Sequence, residues 1–384
     1  MLNAGSSSLK FSLLDSVDHR AWIQESLDEP STPDFGNLDS AARRAVEEVR
    51  ARTAANPEMV SVDAVAHRFV HGGSRFIGPV QVTREIRARL SELSDLAPLH
   101  NPASLQVLDA ALQELPDVPH VAVFDTAFHA TLSPEAFTYA LPLDWAPVRG
   151  LRRFGFHGLS CAYSSDRAAE LLGSSPKDLR LIVAHLGHGA SVTAILGGRS
   201  VDTTMGFTPL EGLVMGTRSG SVDPGLLLHL LLRASVPALE LEETLNHASG
   251  LLGVSGISAD MRVLLEEARG GSARASLAIR LFARRARQAI GAMAATLGGV
   301  DALVFTGGIG ERAPSVRAEI CDGLACLGLN LDPDLNASAH PDAIVSSTAS
   351  AGRILILTAR EDITMARETV TCLGAGLLGN SGRR

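Results

Sequence analysis

Leu2-Asn-Ala-Gly-Ser-Ser-Ser-Leu-Lys-Phe-Ser-Leu-Leu-Asp15 reads as a strand stub, a small polar turn and a second strand of alternating pattern. The succession returns later in the chain. Residues 181–186 are a continuous apolar run, Gly187-His188-Gly189 is a turn, and Ala190–Leu196 is a strand closed by Gly197-Gly198, with Gly187 about 182 positions after Gly5. A duplicated core is the natural reading. The period is too long for a solenoid, and two-domain molecules of this kind place a ligand in the cleft between the copies.

Working outward from the first copy, residues 40–52 place Ala41, Ala45 and Val49 on one helical face, and residues 61–70 are strand-like up to His71-Gly-Gly. Helical patterns over 84–93 and 102–115 precede an apolar strand, His120–Phe124, that closes at Asp125. Around the second copy, a helix is expected over 160–172. Another is expected over 276–297, with apolar positions at Leu277, Leu281, Phe282, Ile290, Met293 and Leu297. A strand at 301–305 runs into the loop Thr306-Gly-Gly-Ile-Gly-Glu311, a helix begins near Pro314, and a strand at 354–358 precedes Glu361-Asp362 and a last helix over 363–372. Strands alternating with helices define an α/β protein. The Gly/Ser-rich stretch 374–384 reads as a frayed tail.

Composition narrows the function. The 384 residues carry 34 Lys+Arg against 42 Asp+Glu, a net charge of −8, with 46% apolar and 20% charged residues. Surplus acid disfavours a nucleic-acid binder, which needs a basic stripe. There is no run of 18 apolar residues and no secretory signal, so a soluble cytoplasmic protein without a membrane partner is expected. Cys161, Cys321, Cys326 and Cys372 have neither redox-pair nor zinc-knuckle spacing, and reduced, mostly buried thiols are expected. The basic residues are nearly all arginine. Lys10, one of only two lysines, sits beside the first glycine turn, where a compact charge has a use.

Three glycine- or hydroxyl-rich turns, at 5–8, 187–191 and 307–310, each follow a strand, and such turns let backbone N–H groups approach an anion closely. One glycine turn is usually just a tight connection; three in a duplicated α/β chain point to phosphate binding. The P-loop, dinucleotide and protein-kinase signatures are absent. Arg68 and Arg218 stand in glycine-flanked segments where two guanidinium forks could hold a carboxylate and a phosphoryl group together. His100, His157 and His185 lie in loops beside Pro or Gly, and His157 and His185 are close to glycine turns. No histidine spacing suits zinc. Magnesium, held by few carboxylates and by substrate phosphates, suits Asp125 and Glu361, each just beyond a strand, although helix capping or a salt bridge would explain either.

Ten motifs in order carry a resemblance: Asn3-Ala-Gly-Ser-Ser-Ser-Leu-Lys10, His67-Arg68…His71-Gly-Gly73, Ala97-Pro-Leu-His100-Asn-Pro102, Phe124-Asp125-Thr-Ala-Phe-His129, Arg153-Phe-Gly-Phe-His157-Gly158, His185-Leu-Gly187, Thr208-Pro-Leu-Glu-Gly212, Met215-Gly-Thr-Arg218-Ser-Gly220, Phe305-Thr-Gly-Gly-Ile-Gly-Glu311 and Glu361-Asp362…Ala366-Arg-Glu368. The chain resembles the acetate/propionate kinase family along its whole length. The resemblance implies a duplicated actin-like, ribonuclease-H-like fold of the acetate and sugar kinase superfamily. Its first domain would be residues 1–127 completed by 363–384, and its second 128–362 with the nucleotide-binding loops. It also implies a homodimer and reversible in-line transfer of the ATP γ-phosphoryl group to acetate, giving acetyl phosphate and ADP, with Mg²⁺ or Mn²⁺.

By the same resemblance, Ser6, Ser8 and Lys10 face the phosphates, Asn3 and Glu361 help place the metal, and Arg68 and Arg218 bind the carboxylate and the moving phosphoryl group. His157 meets the equatorial oxygens, and Asp125 orients the arginine or a metal-bound water. Val70, Leu99, Phe156 and Pro209 match the pocket for the acetate methyl. His185, Gly187 and Gly189 lie near the phosphates, while Asp260, Arg262, Gly308 and Gly310 match nucleoside and phosphate contacts. Five residues depart from the family pattern: His188 for Asn, Cys161 for His, Ser221 for Asp, Ser74 for Glu and Arg312 for Asn. Only Met1 and Leu2 precede Asn3, where the family has several apolar residues, so either the true start lies upstream or the first strand is short; the substitutions beside ligand-facing loops point to altered nucleotide affinity or phosphoryl-donor choice. Three other readings share these motifs: a propionate kinase, an actin-like ATPase without acyl transfer, and a catalytically impaired nucleotide-binding relative.

Overall fold

β1 (Leu2–Ala4), β2 (Ser8–Leu14) and β3 (Ala21–Asp28) form an antiparallel meander, and the β1–β2 turn is closed by Gly5 N–H donating to Ser8 O at 2.7 Å. β4 (Val65–Phe69) and β6 (His120–Phe124) then extend the sheet parallel to β1, and β5 (Val80–Gln81) adds an antiparallel edge. This computed structural model describes residues 1–5, 8–28, 38–56, 62–98, 100–145 and 150–374. Ser6, Leu99, Ser61 and the tail beyond Gly374 therefore lie outside the described residues.

The chain divides into two units, Met1–Phe128 with Arg360–Arg384, and His129–Ala359. In unit 1 the strand order is β3-β2-β1-β4-β6-β5. β4 and β6 carry almost wholly buried side chains, as parallel strands covered on both faces must. Helices Leu38–Ala55 and Asn101–Glu114 pack on each other, and helix Glu361–Leu373 packs on β4 and β6. Small residues Ala41, Ala45 and Ala110 bring the helices close to Leu9 and Phe11, while Phe69, Phe76 and Phe124 fill the other end of the core.

Unit 2 repeats the plan strand for strand. β7 (Arg180–Leu186), β8 (Ala190–Leu196), β9 (Arg199–Thr203), β10 (Ala302–Thr306), β11 (Ala343–Ile344) and β12 (Arg353–Ile356) are ordered β9-β8-β7-β10-β12-β11, with the same strand directions. Register agrees too. Leu2 sits between Phe11 and His67, as Val183 sits between Thr193 and Val304. The duplication legible in two hairpins thus covers both six-stranded sheets of the described residues.

Three local readings differ. The glycine run after β10 is a short helix, Gly307–Arg312, seated against β7, where a side chain on Gly310 would come within 3.7 Å of Ala184 O. Packing overrides the poor helix propensity of glycine. Helix Ala273–Leu297 packs on β7 and β8 and buries Ala275, Ala278, Ala283 and Ala286, while Leu277 is half exposed instead of in the core. The cysteines are free, but only Cys161 and Cys321 are buried; Cys326 is exposed and Cys372 intermediate. Helices Pro224–Leu232, Ala238–His247, Gly250–Ser255 and Met261–Arg269 went unread in the sequence. Among the described residues no helix is long and apolar enough to cross a membrane.

Candidate active site

In unit 1 the parallel strands deliver their chemistry at their carboxyl ends, where open α/β sheets place ligands. Asn3 comes from β1, Arg68 from β4, Asp125 from the residue after β6 and Glu361 from the start of the last helix. Arg68 donates Nε to Asp125 Oδ1 at 2.9 Å, Nη2 to Asp125 Oδ2 at 2.5 Å and Nη1 to Asn3 Oδ1 at 2.9 Å. Asn3 Nδ2 in turn donates to Glu361 Oε2 at 3.2 Å, and Arg68 Nε lies 3.8 Å from that oxygen. Burial works against the Arg68 charge, but Asp125 and Glu361 outweigh it and push its pKa up. The guanidinium fork expected to face substrate is therefore gripped edge-on by Asp125, which fixes its plane. Asp125 is a positioning residue in this geometry, with a side chain only 1% exposed.

Neighbouring groups shape this cluster. Val70 follows β4 and is buried. The turn beyond it is pinned by Gly72 N–H to Thr126 Oγ1 at 3.0 Å and by Asn101, which donates to His71 O and accepts from His71 N–H. Gly72 has no room for a side chain, because its Cβ would run into Phe76 O. Lys10 pairs with Asn3 across the β1–β2 ladder and is exposed, and Ser8 opens β2. Sequence reasoning missed Asn3 as the link between Arg68 and Glu361, which depends on two strands and the start of the last helix meeting.

In unit 2 two imidazoles stack. His157 precedes helix Gly158–Leu172 in a left-handed conformation, φ 59° and ψ 24°, and its ring lies over that of His185 with centroids 4.2 Å apart. Each ring is held by a hydroxyl. His157 Nδ1 contacts Ser191 Oγ at 3.0 Å, and His185 Nδ1 contacts Ser160 Oγ at 2.8 Å. His185 lies within β7, not in a loop, because the apolar run continues through it to Leu186. Ser160 and Ser191 are further residues that the sequence did not single out. Neither is close in sequence to its histidine, so only the fold could reveal them.

The glycine turn gathers these groups. Gly187 N–H donates to Gly189 O at 2.9 Å. A Cβ placed on Gly189 would lie 3.3 Å from His157 Nε2 and 3.8 Å from Arg218 Nη1, so the missing side chain leaves a pocket that both side chains can reach. A Cβ on Gly187 would similarly fall 3.8 Å from His185 Nε2 and 4.0 Å from Gly308 N. Arg218 Nη1 donates to Pro209 O at 3.4 Å, and burial lowers the pKa of its guanidinium. His188 accepts from Gly216 N–H through its carbonyl, its ring packs on Gly216, and burial followed by the Arg218 charge lowers its pKa. Phe156 is buried, with its carbonyl accepting from His129 Nε2. Arg153, which donates to Glu211 and to the carbonyls of Thr203, Thr204 and Met205, supports the segment that carries Pro209.

Asp260 and Arg262 stand at the surface. Asp260 caps helix Met261–Arg269 by accepting from Arg262 N–H, and it pairs with the Arg262 guanidinium at 2.6 Å. His157, His185, Gly187, Gly189, Arg218 and Gly308 therefore converge in unit 2, while Asn3, Arg68, Asp125 and Glu361 converge in unit 1. Chemically, unit 2 offers cationic and N–H donors around a side-chain-free turn, suited to phosphoryl oxygens. Unit 1 offers an oriented arginine beside oxygen donors.

Comparison with known proteins agrees with this chemistry. A family model described as the acetokinase family matches residues 1–367. Acetate kinase from Leifsonia xyli subsp. xyli is 46% identical, covering 98% of this chain and 99% of the relative, and that from Dictyoglomus thermophilum is 43% identical over 97% and 98%. Among solved structures, Porphyromonas gingivalis acetate kinase superposes with a TM-score of 0.86 at 37% identity, covering 97% of this chain and 98% of that one. A propionate kinase from Francisella tularensis gives 0.85 at 34% identity, over 96% and 97%.

Proposed function

This chain belongs to the acetokinase family, and from that premise we propose that it is an acetate kinase, transferring the ATP γ-phosphoryl group reversibly and in line to acetate to give acetyl phosphate and ADP. The observation that carries the reading is the convergence of His157 Nε2 and Arg218 Nη1 on the turn at Gly189. A carboxylate is already a nucleophile, so no strong general base is needed, and the protein's work is alignment and charge neutralisation. His157 and Arg218 stabilise the oxygens of the moving phosphoryl group, each contributing on the order of 3 kcal/mol by analogy with an oxyanion-hole donor. Arg68, held by Asp125, binds the acetate carboxylate. Val70, Phe156 and Pro209 are assigned to recognition of the acetate methyl, as is Leu99, which lies outside the described residues. Ser6, Ser8, Lys10, His185, Gly187, Gly189, Asp260, Arg262, Gly308 and Gly310 serve the nucleotide.

The donor set in unit 1 fits a hard divalent cation. Glu361 presents a carboxylate and Asn3 a carboxamide, oxygen ligands of the kind Mg²⁺ prefers, and Mn²⁺ would serve in its place. Among the described residues no cluster of three or more His, Cys, Asp or Glu side chains could hold a metal ion alone, so phosphates and water would complete the coordination. When bound, the cation would neutralise phosphate charge. We further propose that each unit is one actin-like domain, that the protein works in the cytoplasm and that it is a homodimer. Hydroxylamine trapping of acetyl phosphate made from ATP, Mg²⁺ and acetate tests the reading; no product from folded protein would refute it. The Francisella likeness favours propionate as the second candidate, and kcat/KM for acetate against propionate decides between them.

A further inference from the structure

His188 stands in the turn Gly187–Gly189, one residue from the pocket at Gly189 that His157 Nε2 and Arg218 Nη1 reach. Its carbonyl is engaged, accepting Gly216 N–H at 3.0 Å. Among the described residues, neither ring nitrogen has a hydrogen-bond partner. The ring lies with its Nδ1–Cε1 edge on Gly216, so close that a Cβ on that glycine would come within 2.7 Å of Nδ1, and the residue as a whole remains exposed. A ligand in the turn can therefore meet this imidazole without displacing any protein group.

The charges around the ring set its state. Arg218 acts on it from the facing loop 213–220. His185 on β7 and His157 ahead of helix Gly158–Leu172 are the other titratable groups of the turn, and they stack on each other. On the Gly216 side, the segment before helix Met261–Arg269 brings Ala259 O and the Asp260–Arg262 pair, which is neutral as a unit. These elements leave no unpaired carboxylate to draw a proton to His188, while burial and Arg218 disfavour one, so the imidazole is neutral in the free protein at pH 7.

We propose that His188 is a proton-coupled phosphate contact: when phosphoryl oxygens occupy the turn, its imidazole takes one proton from solvent and donates in a hydrogen bond to them. The inference rests on the nucleotide reading of the turn given above. An arriving di- or triphosphate carries more negative charge than Arg218 carries positive, so the field at the ring changes sign and the imidazolium becomes the favoured form. The buffer loses a proton, an N–H bond forms at the lone-pair nitrogen, and no bond to phosphorus is made or broken. A carboxamide in this position would grip phosphate equally at every pH, whereas a histidine makes the grip depend on proton supply. Because the bound-state pKa lies above the free one, affinity is greatest below the free pKa and falls as pH rises through the bound pKa.

The imidazole Cε1–H signals of the full chain, labelled with ¹³C-histidine and titrated from about pH 5 to 8, read the pKa of His188 without ligand, with MgADP and with adenosine. His188→Asn identifies the signal; should that variant fail to fold, the proximity of Cε1–H to the Gly216 Hα protons identifies it in the unaltered chain. MgADP should raise the pKa by about one unit or more, and adenosine, which has no phosphate, should leave it unmoved. Correspondingly, the ADP dissociation constant should rise about tenfold across that window through a component that His188→Asn removes. A pKa unchanged or lowered by MgADP, or raised equally by adenosine, would overturn the proposal and leave the nucleotide reading standing. Calorimetry showing no MgADP binding at any pH would overturn both.

Discussion

Replacing Asp125 by Asn changes one charge and almost no volume, so its effect reports the Arg68–Asp125 pair directly. The carboxylate accepts two guanidinium N–H groups, at 2.9 and 2.5 Å, and the side chains are 1% and 16% exposed. The carboxamide can still accept one of these bonds but turns a donor toward the other N–H. Breaking a buried pair by altering one partner costs about 3–5 kcal/mol. Here Arg68 keeps Asn3 Oδ1 at 2.9 Å and Glu361 Oε2 at 3.8 Å, so the low end of that range, about 3 kcal/mol, is expected. At roughly 2–4 °C per kcal/mol for a unit of this size, Tm should fall by about 6–12 °C. Turnover should fall as well, because the guanidinium loses its fixed plane. Differential scanning calorimetry with initial rates would measure both, and Arg68→Met/Asp125→Asn should be more stable than Asp125→Asn because the orphaned charge is gone. A Tm within about 2 °C of the parent and turnover within about twofold would show that the pair neither holds the fold nor orients the arginine.

Arg218→Ala should lower turnover on the order of a hundredfold with an unchanged melting curve, since burial already works against its charge; near-normal rates would remove it from the mechanism. Glu368 is predicted to give a pH signature. Burial and then Asp125 raise its pKa from 4.5 to about 7, so its contribution to stability is fully present below pH 4.5 and is lost as pH rises through 7. The loss amounts to about 3 kcal/mol, and Glu368→Gln should be the more stable protein at pH 8 but not at pH 4; an equal offset at both pH values would sink the assignment. Two glycines should respond oppositely to alanine. Gly155 has φ +74° and its Cβ would lie 2.6–2.7 Å from the His129 ring and Thr203 Cγ2, so Gly155→Ala should cost about 2–5 kcal/mol. Gly291, inside a helix with open space around it, should gain about 0.5–1 kcal/mol, and chemical denaturation of both variants checks the contrast.

What the sequence revealed was what repeats or punctuates. The two strand–turn–strand passages announced the duplication, and glycine turns marked where chemistry gathers, because each is written in contiguous residues. The supports were hidden. That Ser191 holds His157, that Ser160 holds His185 and that Asn3 bridges Arg68 to Glu361 follow from strand register and helix placement, which pair residues 25 to 358 positions apart. The glycines of residues 307–310 argued for a loop on propensity alone, and packing against β7 made them a helix. The run Pro224–Leu232 drew no notice as a helix, since its leucines show no polar face from which a period could be read.

One unit is contiguous in sequence and the other is not. Unit 2 is threaded without interruption from His129 to Ala359, whereas unit 1 waits for helix Glu361–Leu373 to settle on β4 and β6. On a ribosome adding roughly 5–20 residues per second, the interval between the last strand of unit 1 and that helix is tens of seconds or less, ample for unit 2 to form first. Glu361 is carried by the same late helix. A nascent chain thus acquires Glu361, the second carboxylate beside Arg68 after Asp125, only once the whole of unit 2 has been made.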